Sequence, residues 1–179
     1  EVASLIGCSP AEIIFTSGAT ESINLSIKGL MDLTDKQSYC ILTSSIEHPA
    51  VLETCLHLEK MGVSLSILPV LENGLLDWVS AHIDPPASKG IIAIQYANNE
   101  TGTIQDLEKI ARLAKNSGLT YLSDATQAVG KITVNPKKMG IDLMAFSGHK
   151  LYGPKGVGAL FINKDSKLQL HPLTHGGRH

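Results

Sequence analysis

The sequence is short of what several functions require. Aromatic residues make up 4% of its 179 positions, with a single Trp, too few for the stacking platforms that hold single-stranded nucleic acid. Formal net charge is -2, so no basic surplus points to nucleic acid or to an anionic membrane. No apolar run approaches the ~20 residues of a membrane span. Cys8, Cys40 and Cys55 are odd in number and have no paired spacing, which argues against a disulfide framework and against a cysteine zinc site. That pattern fits a reducing compartment, and we expect a cytoplasmic protein. The chain has no initiator Met and no signal peptide. It opens on what reads as the tail of a helix stopped by Gly7 and ends in Gly176-Gly177-Arg178-His179, a loop with nothing after it. We therefore expect a piece of a longer protein.

What is present is an ordinary globular composition, 43% hydrophobic and 18% charged, in a chain long enough for one domain with a real core. Strand and helix patterns alternate. Short apolar runs predict strands at 13–16, 39–43, 63–70, 90–96, 119–122, 143–146 and 157–162. Helical spacing predicts helices at 20–30, 49–61, 76–83 and 106–116. Pro49 stands in a first turn, Asp106 is a cap, and Gly62 and Gly118 are stops. Crossover helices between strands imply an α/β fold, a mostly parallel sheet with helices on both faces. Only a loop separates the last two strands, so one of them can run antiparallel. Ligands in such folds bind beyond the carboxyl ends of the strands, so chemistry is sought just after each strand.

After the first strand, Thr16-Ser17-Gly18-Ala19-Thr20-Glu21-Ser22 runs into a helix start. Free N–H groups and the helix dipole can make an anion site there. A plain cap by Thr20, supported by Glu21, explains the same residues. After the second strand, His48 precedes a helix, where it can stack on a planar ligand or move protons, or simply bond to backbone. Asn98-Asn99-Glu100-Thr101-Gly102 is a polar loop that turn chemistry alone can account for. Asp124 follows a buried strand directly and needs a cation, strong donors or a helix N-terminus to offset its desolvation. Gln127 lies three residues on. Lys150 sits in Ser147-Gly148-His149-Lys150-Leu151-Tyr152-Gly153-Pro154-Lys155-Gly156, between two strands and before a Gly-Pro turn. A partly desolvated lysine there favours the neutral amine that attacks a carbonyl. The alternative is a solvated lysine in a tight loop.

Taken together, an anion cradle, a stacking His, an acid for a ring nitrogen and a Schiff-base Lys are the parts that pyridoxal 5'-phosphate needs. The chain resembles class I cysteine desulfurases, fold-type I pyridoxal-phosphate enzymes of the class V aminotransferase group. The resemblance is carried, in family order, by 15–22, 47–53, 98–102, 124–127 and 147–156. It implies that Lys150 carries the cofactor as a Schiff base and that Asp124 pairs with its pyridine nitrogen. It further implies that His48 stacks on the ring and that Asn99 and Gln127 face the phenolic oxygen and the substrate side. Ala19, Thr20, Ser147 and His149 would bind the phosphate. No metal is implied.

The resemblance also implies a function and a set of departures. The family converts L-cysteine to L-alanine and passes sulfur, as an enzyme persulfide, to acceptors such as an iron–sulfur scaffold, or toward tRNA thiolation. It acts as a homodimer. None of Cys8, Cys40 or Cys55 matches the nucleophilic cysteine, which is expected beyond position 179, as are the substrate-carboxylate arginine and the C-terminal small domain. Residues 1–179 would be a partial cofactor-binding large domain, truncated at both ends and inactive alone. Selenocysteine lyase or another class V enzyme is the nearest rival. A non-enzymatic α/β fragment is a rival of another kind. A zinc site on His175 and His179 is more distant, since Gly176-Gly177 argues against a helix there.

Overall fold

The computed structural model describes residues 1–31, 38–79 and 89–176. Within them, seven strands form one sheet in the order β1-β7-β6-β5-β4-β2-β3. The strands are β1 (Ile13–Thr16), β2 (Tyr39–Ser44), β3 (Ser64–Leu68), β4 (Lys89–Ala93), β5 (Thr120–Asp124), β6 (Leu143–Ser147) and β7 (Gly158–Ile162). Strands β2 to β6 pair in parallel, while β7 runs antiparallel between β6 and β1. The expected antiparallel strand is thus β7. Six strands deliver their carboxyl ends to one edge of the sheet, and β7 begins there.

Helices α1 (Val2–Ile6), α2 (Ala19–Gly29), α3 (Pro49–Lys60) and α4 (Leu107–Ser117) cover the two faces. Successive strand residues point to opposite faces. Cys40 and Leu42 of β2 pack with Ile6 of α1 and with Leu107 and Ile110 of α4. Ile41, between them, packs with Ile23 and Ile27 of α2 and with Val51, Cys55 and Leu58 of α3. The i, i+4 pair Ile23/Ile27 makes one apolar stripe along α2. Central strand β6 is buried at every position, as a strand covered on both faces must be. Asp106 caps α4 by accepting the Lys109 N–H at 3.0 Å, and Gly118, at φ 66°, ends it in the left-handed conformation. Among the described residues no helix is long and apolar enough to cross a membrane.

Two expectations are corrected. The helix placed at 76–83 does not form where the chain is described. Gly74, at φ 78°, turns the chain back so that Leu76 bridges Val70 antiparallel and the Asp77 N–H donates to Pro69 O at 3.0 Å. The rest of that span, from 80 onward, lies outside the described residues. Thr20 is not the cap of α2. Gly18 is the N-cap and supplies no side-chain bond, while Glu21 folds back to accept both the N–H and the hydroxyl of Ser17, each at 2.6 Å.

Candidate active site

The loops that leave β1, β2, β4, β5 and β6 enclose an open cleft of about 620 Å3 at the carboxyl edge of the sheet. Every residue that the resemblance assigns to the cofactor lines it: Ala19 and Thr20 from α2, His48 from the start of α3, Asn99, Asp124, Gln127, Ser147, His149 and Lys150. Gln95, Ala97, Ala50 and Thr126 complete the wall. Gln95 was hidden inside the strand expected at 90–96. The strand stops at Ala93, which moves Gln95 into the group of post-strand residues where chemistry is sought.

At one end of the cleft α2 begins. Its first-turn N–H groups have no helical acceptor, and Gly18 brings no side chain to cap them. One of them, on Ala19, donates to Ser147 Oγ at 2.8 Å. The Ser147 hydroxyl accepts there and keeps its own proton to donate into the cleft. Sequence allows this close approach. A Cβ on Gly158, the first residue of β7, would meet the Cα of Gly18 at 2.5 Å, so only glycine lets the loop before α2 lie against the sheet. The result is a cradle of N–H and O–H donors at the positive end of a helix dipole, a site for an anion such as phosphate.

At the floor stands Asp124, 8% exposed at the end of β5. Its Oδ1 accepts the Thr126 N–H at 2.9 Å. Burial raises its pKa, opposed by Thr126 and by the charge of His48. Among the described residues it forms no ion pair with Lys or Arg. A buried carboxyl facing a cleft in this way is suited to a cationic N–H on a ligand, which would restore the anion.

His48 is the N-cap of α3, and its Nδ1 accepts the Ala50 N–H at 3.1 Å. A neutral ring bonded so carries its proton on Nε2. Backbone satisfaction through Nδ1 therefore leaves Nε2 for a ligand in the cleft that His48 lines. The two consecutive asparagines divide in the same way. Asn98, buried, serves the turn: its Oδ1 accepts from Glu100 N and Thr101 N, both at 2.8 Å, and its Nδ2 donates to Ile46 O at 3.0 Å. Exposed Asn99 is left for the cleft. Gln127 takes a bond from Lys131 Nζ on its Oε1, which leaves the amide N–H2 as its free end.

Lys150 ends a short 3-10 turn after β6, Gly148–Lys150. Gly148 N donates to Val157 O at 2.9 Å, and Leu151 N and Gly153 N both donate to Gly148 O, at 2.8 and 3.0 Å. This knot holds the backbone on either side of the lysine. Tyr152 beside it takes φ 61°, a left-handed conformation that costs a non-glycine residue about 1 kcal/mol. Lys150 itself is exposed. The desolvation expected at the sheet edge is therefore not supplied to Lys150 by the described residues.

No cysteine lines the cleft. Cys55 is fully buried in α3, and desolvation, with Glu47 adding to it, pushes its thiol up to about 12, so it is not a ready thiolate. Burial also raises Cys8 and Cys40. No cluster of three or more His, Cys, Asp or Glu able to hold a metal occurs among the described residues, and His179, one of the two residues of the zinc reading, lies outside them.

Comparison with known proteins gives a consistent set. The sequence profile of the family described as Aminotransferase class-V matches residues 1–179. The chain is 41% identical over 179 residues to "Cysteine desulfurase IscS" of Pectobacterium carotovorum subsp. carotovorum (strain PC1) and 42% identical to the protein of the same name from Serratia proteamaculans (strain 568). Each alignment takes in 100% of this chain and 44% of the relative, so the chain spans less than half the length of the curated relatives it matches. Among solved structures, one titled "NIFS-LIKE PROTEIN" superposes with a TM-score of 0.89 at 39% identity, covering 98% of this chain and 48% of that one. Another, "SspA in complex with cysteine", gives 0.89 at 41% identity, with coverage of 98% and 51%.

Proposed function

Because the chain belongs to the aminotransferase class-V family, we propose that the protein carrying it is a pyridoxal-phosphate cysteine desulfurase, and that residues 1–179 are part of its cofactor-binding domain. The observation that carries this reading is the convergence of an anion cradle, a buried carboxylate, a histidine with its Nε2–H free and a lysine on one cleft. The donor set fits the cofactor. Phosphate suits the α2 cradle, a pyridinium N–H suits Asp124, and an aldehyde suits the Lys150 amine. When bound, pyridoxal phosphate supplies an electron sink next to the substrate's α-carbon.

The chain's residues then have definite tasks. Ala19, Thr20, Ser147 and His149 would hold the phosphate. Asp124 keeps a proton on the ring nitrogen, which makes the sink effective. Lys150 would hold the cofactor's aldehyde, and its amine, when free, would take the α-proton of L-cysteine. His48 covers one face of the ring, and its Nε2 handles protons near the substrate thiol. Asn99 and the Gln127 amide N–H2 hold the phenolic oxygen and the substrate side. The sulfur leaves L-cysteine to a thiolate supplied from outside this chain, giving L-alanine and an enzyme persulfide, which feeds an acceptor such as an iron–sulfur scaffold. A cytoplasmic homodimer belongs to the same reading.

The test is turnover. The protein that carries this chain, loaded with pyridoxal phosphate, is given L-cysteine and a reductant. Equal release of alanine and sulfide is expected, with L-selenocysteine as a parallel substrate. Alanine from selenocysteine but none from cysteine would move the assignment to a selenocysteine lyase, and no product from either would overturn it.

A further inference from the structure

Next to His48 the chain buries a carboxyl group for which the proposed chemistry has no use. Glu47 is 5% exposed. Its Oε1 accepts the Ser44 hydroxyl at 2.6 Å, and its Oε2 accepts the Gln95 N–H at 2.9 Å. Among the described residues no Lys, Arg or His nitrogen pairs with it. A carboxyl taken out of water without a cation costs stability unless hydrogen bonds hold it, so its place calls for a reason.

The neighbouring bonds supply one. The turn that follows β2 is tied to the chain leaving β4 at three points. Glu47 takes the Gln95 N–H, the Gln95 side-chain amide donates to Ile46 O at 2.7 Å, and the Asn98 amide donates to the same carbonyl at 3.0 Å. The next residue in the chain is His48, whose ring is already committed to the Ala50 N–H at the start of α3. Moving the turn moves the start of α3 and the ring together.

We propose that Glu47 is a positioning residue: by bridging Ser44 and Gln95 its carboxyl group fixes the 44–48 turn against the end of β4 and so sets where the His48 ring stands at the cleft. The placement follows from this chain's own hydrogen bonds, and only its consequence for catalysis rests on the role proposed for His48.

The electrostatics agree with a bridge. Burial pushes Glu47 up to about 8 against the pull of Ser44 and Gln95, and Asp124 adds to the rise. Asp124 and Tyr121 from β5 and Cys55 from α3 are the titratable groups that face it. Glu47 accepts from both partners, one on each oxygen. Glutamine keeps a carbonyl for the Gln95 N–H, and its N–H2 can meet Ser44 Oγ once that hydroxyl turns from donor to acceptor. Alanine removes it, and aspartate is one methylene too short to span both partners.

Nitrogen-15 NMR of the histidine rings in the cofactor-free protein tests the proposal, with the His48 signals identified by their loss in His48→Gln. Wild type and Glu47→Gln are expected to show the same His48 tautomer, proton on Nε2, and superimposable ring titrations. Glu47→Ala is expected to show mixed tautomers and a displaced midpoint. A wild-type His48 in Glu47→Ala, or a Glu47→Gln protein as disturbed as Glu47→Ala, overturns the proposal. If Glu47→Ala does not fold, Glu47→Asp takes its place against Glu47→Gln, and a disturbed His48 in Glu47→Gln is by itself decisive against the bridge. No cofactor or substrate is present, so these outcomes are independent of the desulfurase reading. A wild-type protein that releases no alanine would remove that reading and leave the bridge standing.

Discussion

The Ala19 N–H donates to Ser147 Oγ at 2.8 Å, joining the first residue of α2 to the last residue of β6 across 128 positions of sequence. One hydroxyl thereby anchors the helix whose N-terminus forms the anion cradle and keeps its own proton for a ligand in the cleft. Ser147→Ala removes both effects. Loss of one hydrogen bond to a charged group is worth about 1.5–3 kcal/mol, so affinity for pyridoxal phosphate is expected to fall at least tenfold. Ser147→Thr keeps the hydroxyl and is expected to retain most of it. Fluorescence titration of the apo-protein with the cofactor reads both.

Asp124 is expected to act on the electronics of a bound ring more than on its affinity. Asp124→Asn preserves shape and removes the charge that keeps a pyridine nitrogen protonated. Cofactor retained near wild-type occupancy, with alanine release slower by on the order of 10³-fold, is the expected result, since a misplaced proton of this kind is costly without disturbing geometry. Unchanged turnover would mean that another carboxylate faces the ring nitrogen.

Glu47 links stability to pH. The unfolded chain releases this proton near 4.5, whereas burial holds it in the fold up to about 8. Between those values unfolding releases a proton, so stability falls as pH rises through that window and levels off on either side. The full span corresponds to on the order of 5 kcal/mol. Glu47→Gln has nothing to titrate. Denaturant unfolding at pH 5 and pH 8 is expected to show wild type losing stability relative to Glu47→Gln, with other groups cancelling in the comparison. Parallel pH profiles for the two proteins would show that Glu47 is ionised in the fold.

Much of this site was legible because the fold follows a simple rule. A parallel sheet gathers the residues just after its strands, so Ala19, His48, Asp124 and Lys150 could be placed at one edge from apolar runs and turn residues alone. What failed did so where local pattern and tertiary contact disagree. The spacing of Leu76, Val79 and Ile83 is helical, yet the turn at Gly74 brings Leu76 back against Val70. Thr20 has the composition of a cap, but the cap position fell to Gly18 because Gly158 lets the backbone lie close to the sheet. Gln95 was lost to a strand drawn three residues too long, and with it the bridge to Glu47, which is a contact 48 positions apart that no local signal announces.

The central claim is that Lys150 carries the cofactor in this cleft. Borohydride reduction of the pyridoxal-phosphate-loaded protein, followed by proteolysis and mass mapping, tests it directly. The account predicts one pyridoxyl-lysine, on Lys150, abolished in Lys150→Ala. Label on Lys131 or Lys155 in place of Lys150, or on no lysine of this chain, would contradict it.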